Sequence, residues 1–285
     1  MSSTGGRRAP VPVVLLHGLT DSSACWPTVL PRYAAAGRRV VALDARGHGG
    51  TPLPDETFSI GALAADAARA LRELDLGPAL VVGHSMGGVT AEELALVAPE
   101  LVAGLVLEDP AWVGVEPGAG AEPGAGADPG AVAEPSAGAD PGAAADAVHA
   151  AGGRPAWLAP ALAAVAGRSV AEIAAVGRRE NPGWSPEEVL GWADAKSRLD
   201  PRLADVPHDW TGRDWVGALA DVRVPVTLLT AAPGAGVVTS AQAARAAAVL
   251  GDRLTHVPVP SAGHNIRRDA PAAYLAALDA AVARA

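Results

Sequence analysis

The chain's apolar positions fall into short unbroken runs separated by amphipathic stretches. Val11 to Leu16, Arg39 to Leu43 after its leading arginine, Ala79 to Val82 and Val102 to Leu107 are such runs, while Val224 to Leu229 and Leu254 to Val259 are strand-length stretches interrupted by Thr227, Thr255 and His256. A run without polar alternation suits a parallel strand covered on both faces. Helical signals lie between them. Trp26 to Ala36 is closed by Gly37, where a helix gains from a residue free to take positive φ. Ile60, Leu63, Ala67, Leu71 and Leu74 form one apolar stripe. Val89 to Ala98 is ended by Pro99, Ala241 to Leu250 is helical, and Tyr274, Leu275, Leu278 and Val282 stripe a closing helix. Strands alternating with helices imply right-handed crossovers and a mostly parallel sheet, an α/β chain.

Two stretches break this rhythm. From Val115 to Ala144 a hexapeptide of the kind Val115-Glu116-Pro117-Gly118-Ala119-Gly120 repeats five times. It has no large apolar side chain, and its proline and glycine favour an extended or disordered segment. Glycine is not at every third position, which excludes a collagen-like helix. From Ala147 to Trp215 tryptophan concentrates: Trp157, Trp184, Trp192, Trp210 and Trp215 are five of the chain's seven. Ser185 before Pro186-Glu187-Glu188 is an N-cap signal. The expected organisation is a core of residues 1–113 and 216–285, a low-complexity insertion over 114–146, and a helical cap over 147–215. The tryptophans either form the core of that cap or line an apolar pocket.

Candidate chemistry centres on Gly83-His84-Ser85-Met86-Gly87-Gly88, where the third run stops at a small-residue turn before a helix. Gly-x-Ser-x-Gly in that setting is a nucleophile elbow, because the turn is too tight for side chains two residues either side of the serine. The helix that follows aims its N–H groups and positive dipole end at the serine. A phosphate-binding loop would need lysine where Val89 stands.

Composition narrows the field. The formal charge is −9, but Glu116, Glu122, Asp128, Glu134, Asp140 and Asp146 crowd the repeat stretch; without them 25 acidic residues face 22 basic ones. Neither nucleic acid nor an anionic membrane is an expected partner. No apolar run approaches the roughly 20 residues of a membrane span, and Arg7-Arg8 lacks a signal-peptide pattern behind it, so a cytoplasmic location is expected. Cys25 is the single cysteine. It permits no internal disulfide, and the seven histidines show no metal-ligand spacing.

Taken together, His17-Gly18, the loop Asp44-x-Arg46-Gly47-His48-Gly49, the elbow at Ser85, and Gly263-His264 after the last strand resemble the α/β-hydrolase superfamily, over nearly the whole chain apart from the repeats. The resemblance implies a compact sheet of about six mostly parallel strands flanked by helices, with an inserted helical cap. It makes Ser85 the nucleophile, His264 the general base, and the backbone N–H groups of Leu19 and Met86 the oxyanion hole. His17 and the loop from Asp44 to Gly49 would be structural. The acid usually follows the strand that here is Val224 to Leu229, where Ala232 stands. Some relatives take it from the end of the preceding strand, which is Asp109. Strand alternation disfavours its neighbour Glu108, and a dyad without acid is the alternative.

The expected activity is cofactor-free serine hydrolysis, of the esterase or lactonase kind, on a small and largely apolar acyl substrate. Trp112, Trp157, Trp184 and Trp192 are the candidate substrate contacts. The same triad also serves C–C hydrolysis and peracid formation. A ligand-binding or non-hydrolytic protein on this fold is the rival reading, favoured by Ala232. The sequence leaves oligomeric state open.

Overall fold

A computed structural model describes residues 10–54, 58–113, 153–209 and 213–285. The hexapeptide repeats and Trp210 lie outside the described residues.

The first strand, β1 (Val13–Leu16), leads through a short turn into α1 (Val29–Ala35) and then β2 (Val40–Leu43). A two-residue strand β3 (Phe58–Ser59) precedes α2 (Ile60–Glu73), β4 (Ala79–His84), α3 (Met86–Val97) and β5 (Val102–Glu108). The inserted helices are α4 (Leu158–Val165), α5 (Val170–Glu180) and α6 (Pro186–Ser197). The two-residue β6 (His208–Asp209), α7 (Trp215–Ala218), β7 (Val226–Thr230), α8 (Ser240–Leu250), β8 (Leu254–Pro258), α9 (Ile266–Asp269) and α10 (Pro271–Arg284) complete the order.

Six strands form one sheet in the order β2-β1-β4-β5-β7-β8. Every pairing in it is parallel, so all strands end on one side. This is the α/β-hydrolase fold that the ordered motifs led us to expect. β1 shows why unbroken apolar runs were required. Val14 and Leu16 enter the core shared with α2, α3 and α8, while Val13 and Leu15 enter the opposite core with α1 and α10. A strand loses water from both faces only if both alternating sets are apolar.

Two helices depart from their sequence boundaries. The Trp26–Ala36 stretch becomes helical only at Val29, with Trp26 fully buried ahead of it. α3 begins at Met86 rather than Val89, so Gly87 and Gly88 are helical. Their poor helix propensity is overridden by the need for close approach described below. α3 is buried nearly all round, as expected of a helix whose apolar positions do not form one stripe.

Among the inserted helices, α5 and α6 build a small cluster of their own from Ile173, Val189, Trp192 and Ala193. Leu158 and Leu162 of α4 join the main core instead. Ser185 caps α6 by accepting from the Glu188 N–H, and Ser169 closes a capping box with Glu172 on α5.

Candidate active site

The carboxyl ends of β4, β5 and β8 all lie on one side of the sheet, and the candidate residues lie there. Ser85 sits at φ 51° and ψ −115°, a conformation rarely taken by a side-chain-bearing residue. Its backbone is held from both sides: its N–H donates to the Glu108 carbonyl at 3.0 Å, and its carbonyl accepts from Ala111 at 3.1 Å. The flanking glycines are a matter of space. A Cβ on Gly83 would lie 2.1 Å from the Gly87 carbonyl oxygen, and one on Gly87 would lie 2.1 Å from that of Leu16. No side chain fits at either position.

His264 follows β8, and its Nδ1–H donates to Asp109 Oδ2 at 2.6 Å. That bond leaves Nε2 as the ring atom free to take a proton. Burial pulls the His264 pKa down, but the hydrogen bond and charge of Asp109, with help from Glu108, more than offset it and leave it raised. The His264 side chain remains 23% exposed, whereas the Asp109 side chain is 0% exposed, so the imidazole is the member of the pair within reach of a substrate.

Asp109 itself stands at φ 38°. Its carboxylate accepts from the Val237 N–H at 2.7 Å and the Val238 N–H at 3.0 Å. These donors come from the turn after β7, the turn that carries Ala232. Gly236 admits the carboxylate, since a Cβ there would stand 2.6 Å from Asp109 Oδ2. Glu108 turns elsewhere, accepting from the Arg267 N–H at 2.7 Å. Of the alternatives left open by the sequence, the geometry brings Asp109 to His264.

Around Leu19 and Met86 the backbone is arranged by two neutral histidines. His17 Nδ1–H donates to the Gly18 carbonyl at 2.8 Å, and its Nε2 accepts from Ala45 at 3.0 Å. His48 Nδ1–H donates to the Arg46 carbonyl at 2.9 Å while Nε2 faces the Thr20 N–H at 3.4 Å. Burial lowers both, His48 to about 3, which keeps an acceptor nitrogen on each ring. Among the described residues, the N–H groups of Leu19 and Met86 donate to no other group. The sole lysine, Lys196 on α6, is buried and donates to Thr20 Oγ1 in the same loop.

The candidate tryptophans are distributed differently. Trp112 is in the main core, its Nε1–H donating to Glu92 Oε1 at 2.6 Å. Glu92 is buried with it, and that burial pushes its carboxyl up to about 8. Trp157 borders the same core. Trp184 and Trp192 stack edge-to-face at 6.4 Å between centroids within the α5–α6 cluster, and Trp184 Nε1–H donates to Asp269 at 2.7 Å. A cleft of about 330 Å³ lies behind the elbow, lined by His17, Asp44, Met86 and Thr90 among others, but not by Ser85 or His264. Among the described residues no cluster could hold a metal ion, and no helix is long and apolar enough to cross a membrane.

Sequence reasoning missed the Val237–Val238 donors and a buried group of charges, Asp21, Arg267 and Arg268, beside the site. The signal available for the latter was the pair Arg267-Arg268 so soon after His264.

Comparison with known proteins agrees with this fold. Residues 11–131 match a family described as alpha/beta hydrolase fold. The mouse sn-1-specific diacylglycerol lipase ABHD11 is 41% identical over 109 residues, 38% of this chain and 35% of that protein. The Mycobacterium tuberculosis putative non-heme bromoperoxidase BpoC is 43% identical over 97 residues, 34% of this chain and 37% of that one. The matched segment thus spans about a third of the length of these relatives. Among solved structures, Est816, described as an N-acyl homoserine lactone degrading enzyme, superposes with a TM-score of 0.63 at 22% identity, covering 95% of this chain and 92% of that one. A thermophilic esterase from Thermogutta terrifontis gives 0.60 at 18% identity, covering 95% and 89%. At these identities the likeness is one of fold. The six-stranded parallel sheet and the strained serine turn after β4 agree with the family match, and the chain has the α/β-hydrolase fold.

Proposed function

We propose that the protein is a serine hydrolase that opens small, largely apolar esters or lactones through an acyl-enzyme. The observation that carries this reading is the 2.6 Å bond from His264 to a fully buried Asp109, beside a serine held in the elbow conformation. Ser85 Oγ attacks the acyl carbonyl as His264 Nε2 takes its proton. Asp109 holds the ring with Nε2 forward and stabilises the imidazolium. The N–H groups of Leu19 and Met86, with the N-terminus of α3, receive the negative charge on the carbonyl oxygen. His264 then protonates the leaving alcohol, and a water activated by the same nitrogen releases the acid. No cofactor enters any step.

The named activities of the relatives, a diacylglycerol lipase and a lactone-degrading enzyme, support acyl chemistry as the reaction class. Support for the ligand-binding alternative was the missing acid at Ala232, and the pairing of Asp109 with His264 takes that support away. A fluorophosphonate probe tests the reading. It should label the wild type and leave Ser85→Ala unlabelled, with p-nitrophenyl acetate turnover lost in parallel. Equal labelling of the two proteins would overturn it.

A further inference from the structure

Beside the Asp109–His264 pair lies a buried charge cluster that the reaction as written does not use. Arg267, 1% exposed, donates its backbone N–H to Glu108 Oε1 at 2.7 Å and its Nη1 to Glu108 Oε2 at 3.3 Å. Its Nη2 donates to Asp21 Oδ2 and its Nε to the Cys25 carbonyl at 3.2 Å. The guanidinium lies over the Trp26 ring, 4.7 Å from its centroid. Arg268 takes the other oxygen of Asp21 at 3.0 Å and reaches Glu188 on α6 at 3.4 Å. A third link runs through the elbow, where His84 Nε2–H donates to the His264 carbonyl at 3.1 Å.

These contacts join three loops that are remote in sequence. Glu108 directly precedes Asp109, Arg267 is three residues after His264, and Asp21 is two residues after Leu19. Arg267, just past the histidine loop, therefore ties the strand end that carries Asp109 to the oxyanion loop through one guanidinium. Stability gives little reason for this arrangement. Moving such charges out of water carries a penalty of several kcal/mol per ion, and apolar replacements of buried ion pairs are often neutral or stabilising. Geometry gives a better reason. Catalytic groups must be held to within about 0.5 Å of productive positions, and the Asp109–His264 bond alone does not fix His264 against the Leu19 N–H.

We propose that Arg267, clamped between Glu108 and Asp21, is a positioning residue that holds His264 in register with the oxyanion N–H groups. Glu108 also acts through space, since its charge helps keep the His264 proton affinity raised. The inference rests on the reading of His264 as general base.

The test uses Glu108→Gln and Asp21→Asn in the full chain, with p-nitrophenyl acetate as substrate and active sites counted by fluorophosphonate. Both variants should lower kcat per labelled site by about tenfold or more, because a displacement near 1 Å can cost about a hundredfold, while KM stays within about threefold. In Glu108→Gln alone, the rising limb of kcat/KM against pH should move to lower pH, since the lost carboxylate no longer supports the imidazolium. A structural role alone would lower Tm and leave both readouts unmoved, and that result overturns the proposal. If Glu108→Gln does not fold, kcat of Asp21→Asn decides. Failure of the underlying reading looks different: wild-type turnover would then survive Ser85→Ala.

Discussion

The turns after β5 and after β7 end adjacent strands of one sheet, yet they divide the work in an unexpected way. The first supplies a carboxylate, Asp109, in a left-handed conformation at φ 38°. The second carries Ala232 where the family resemblance led us to look for the acid. It has not become idle: its Val237 and Val238 N–H groups hold the Asp109 oxygens, and Gly236 leaves them room. The carboxylate stands on one turn and the N–H groups that hold it stand on the other. What the pair teaches is that a catalytic acid is specified by the point in space it must reach from His264 Nδ1, and either turn can be its root.

The comparison breaks most sharply at Asp109. Asp109→Asn keeps the shape but removes the charge that stabilises the imidazolium, and kcat at pH 7 should fall by at least about a hundredfold, roughly 2.7 kcal/mol of barrier. Steady-state ester hydrolysis measures it, and turnover that survives would move the weight to a dyad. Gly236→Ala should cost about tenfold in kcat, because a methyl 2.6 Å from Asp109 Oδ2 forces the turn or the carboxylate to shift. A parallel loss of Tm should accompany it, read by thermal denaturation.

A smaller effect sharpens the electrostatics. With the His264 pKa raised, the free base is lost as pH falls through that value, so the rising limb of kcat/KM should lie above the usual histidine value near 6.5. In Asp109→Asn the same limb should move to lower pH, as a pH-rate series on both proteins would show. The smallest change is expected from Ala232→Asp, which should leave kcat within about twofold because the imidazole Nδ1–H is already engaged. A clear gain would mean that the second turn is still the better seat for the acid.

How much of this was legible follows from the range of each interaction. The sheet could be read because its central strands are buried on both faces, a demand every residue of β1 and β4 meets, while the outer strands β2 and β8 are only partly covered. The elbow could be read because Gly83 is fixed by the Gly87 backbone four residues on, although Gly87 in turn is fixed by the distant Leu16 carbonyl. Asp109 was one of several options, since choosing it needs the Val237 and Val238 donors, 128 and 129 residues along the chain. Trp112 illustrates the opposite failure. An indole just after β5 suggests a pocket wall, yet its partner is Glu92, nearly two turns into a helix whose Glu92 and Glu93 side chains are both buried. Nothing in local spacing announces a buried carboxylate; it is tolerated because an indole N–H is there to meet it.

The burial of Lys196 has a consequence for chemistry done to the protein rather than by it. It is the sole lysine of the chain, 6% exposed and bonded to Thr20, so the described surface presents no side-chain amine. Amine-directed acylating reagents, which modify most proteins at many points at once, have one side-chain target here. They reach it only when α6 parts from the loop that carries Leu19. The rate of acylation at Lys196, followed by peptide mapping, is therefore a clock for that separation.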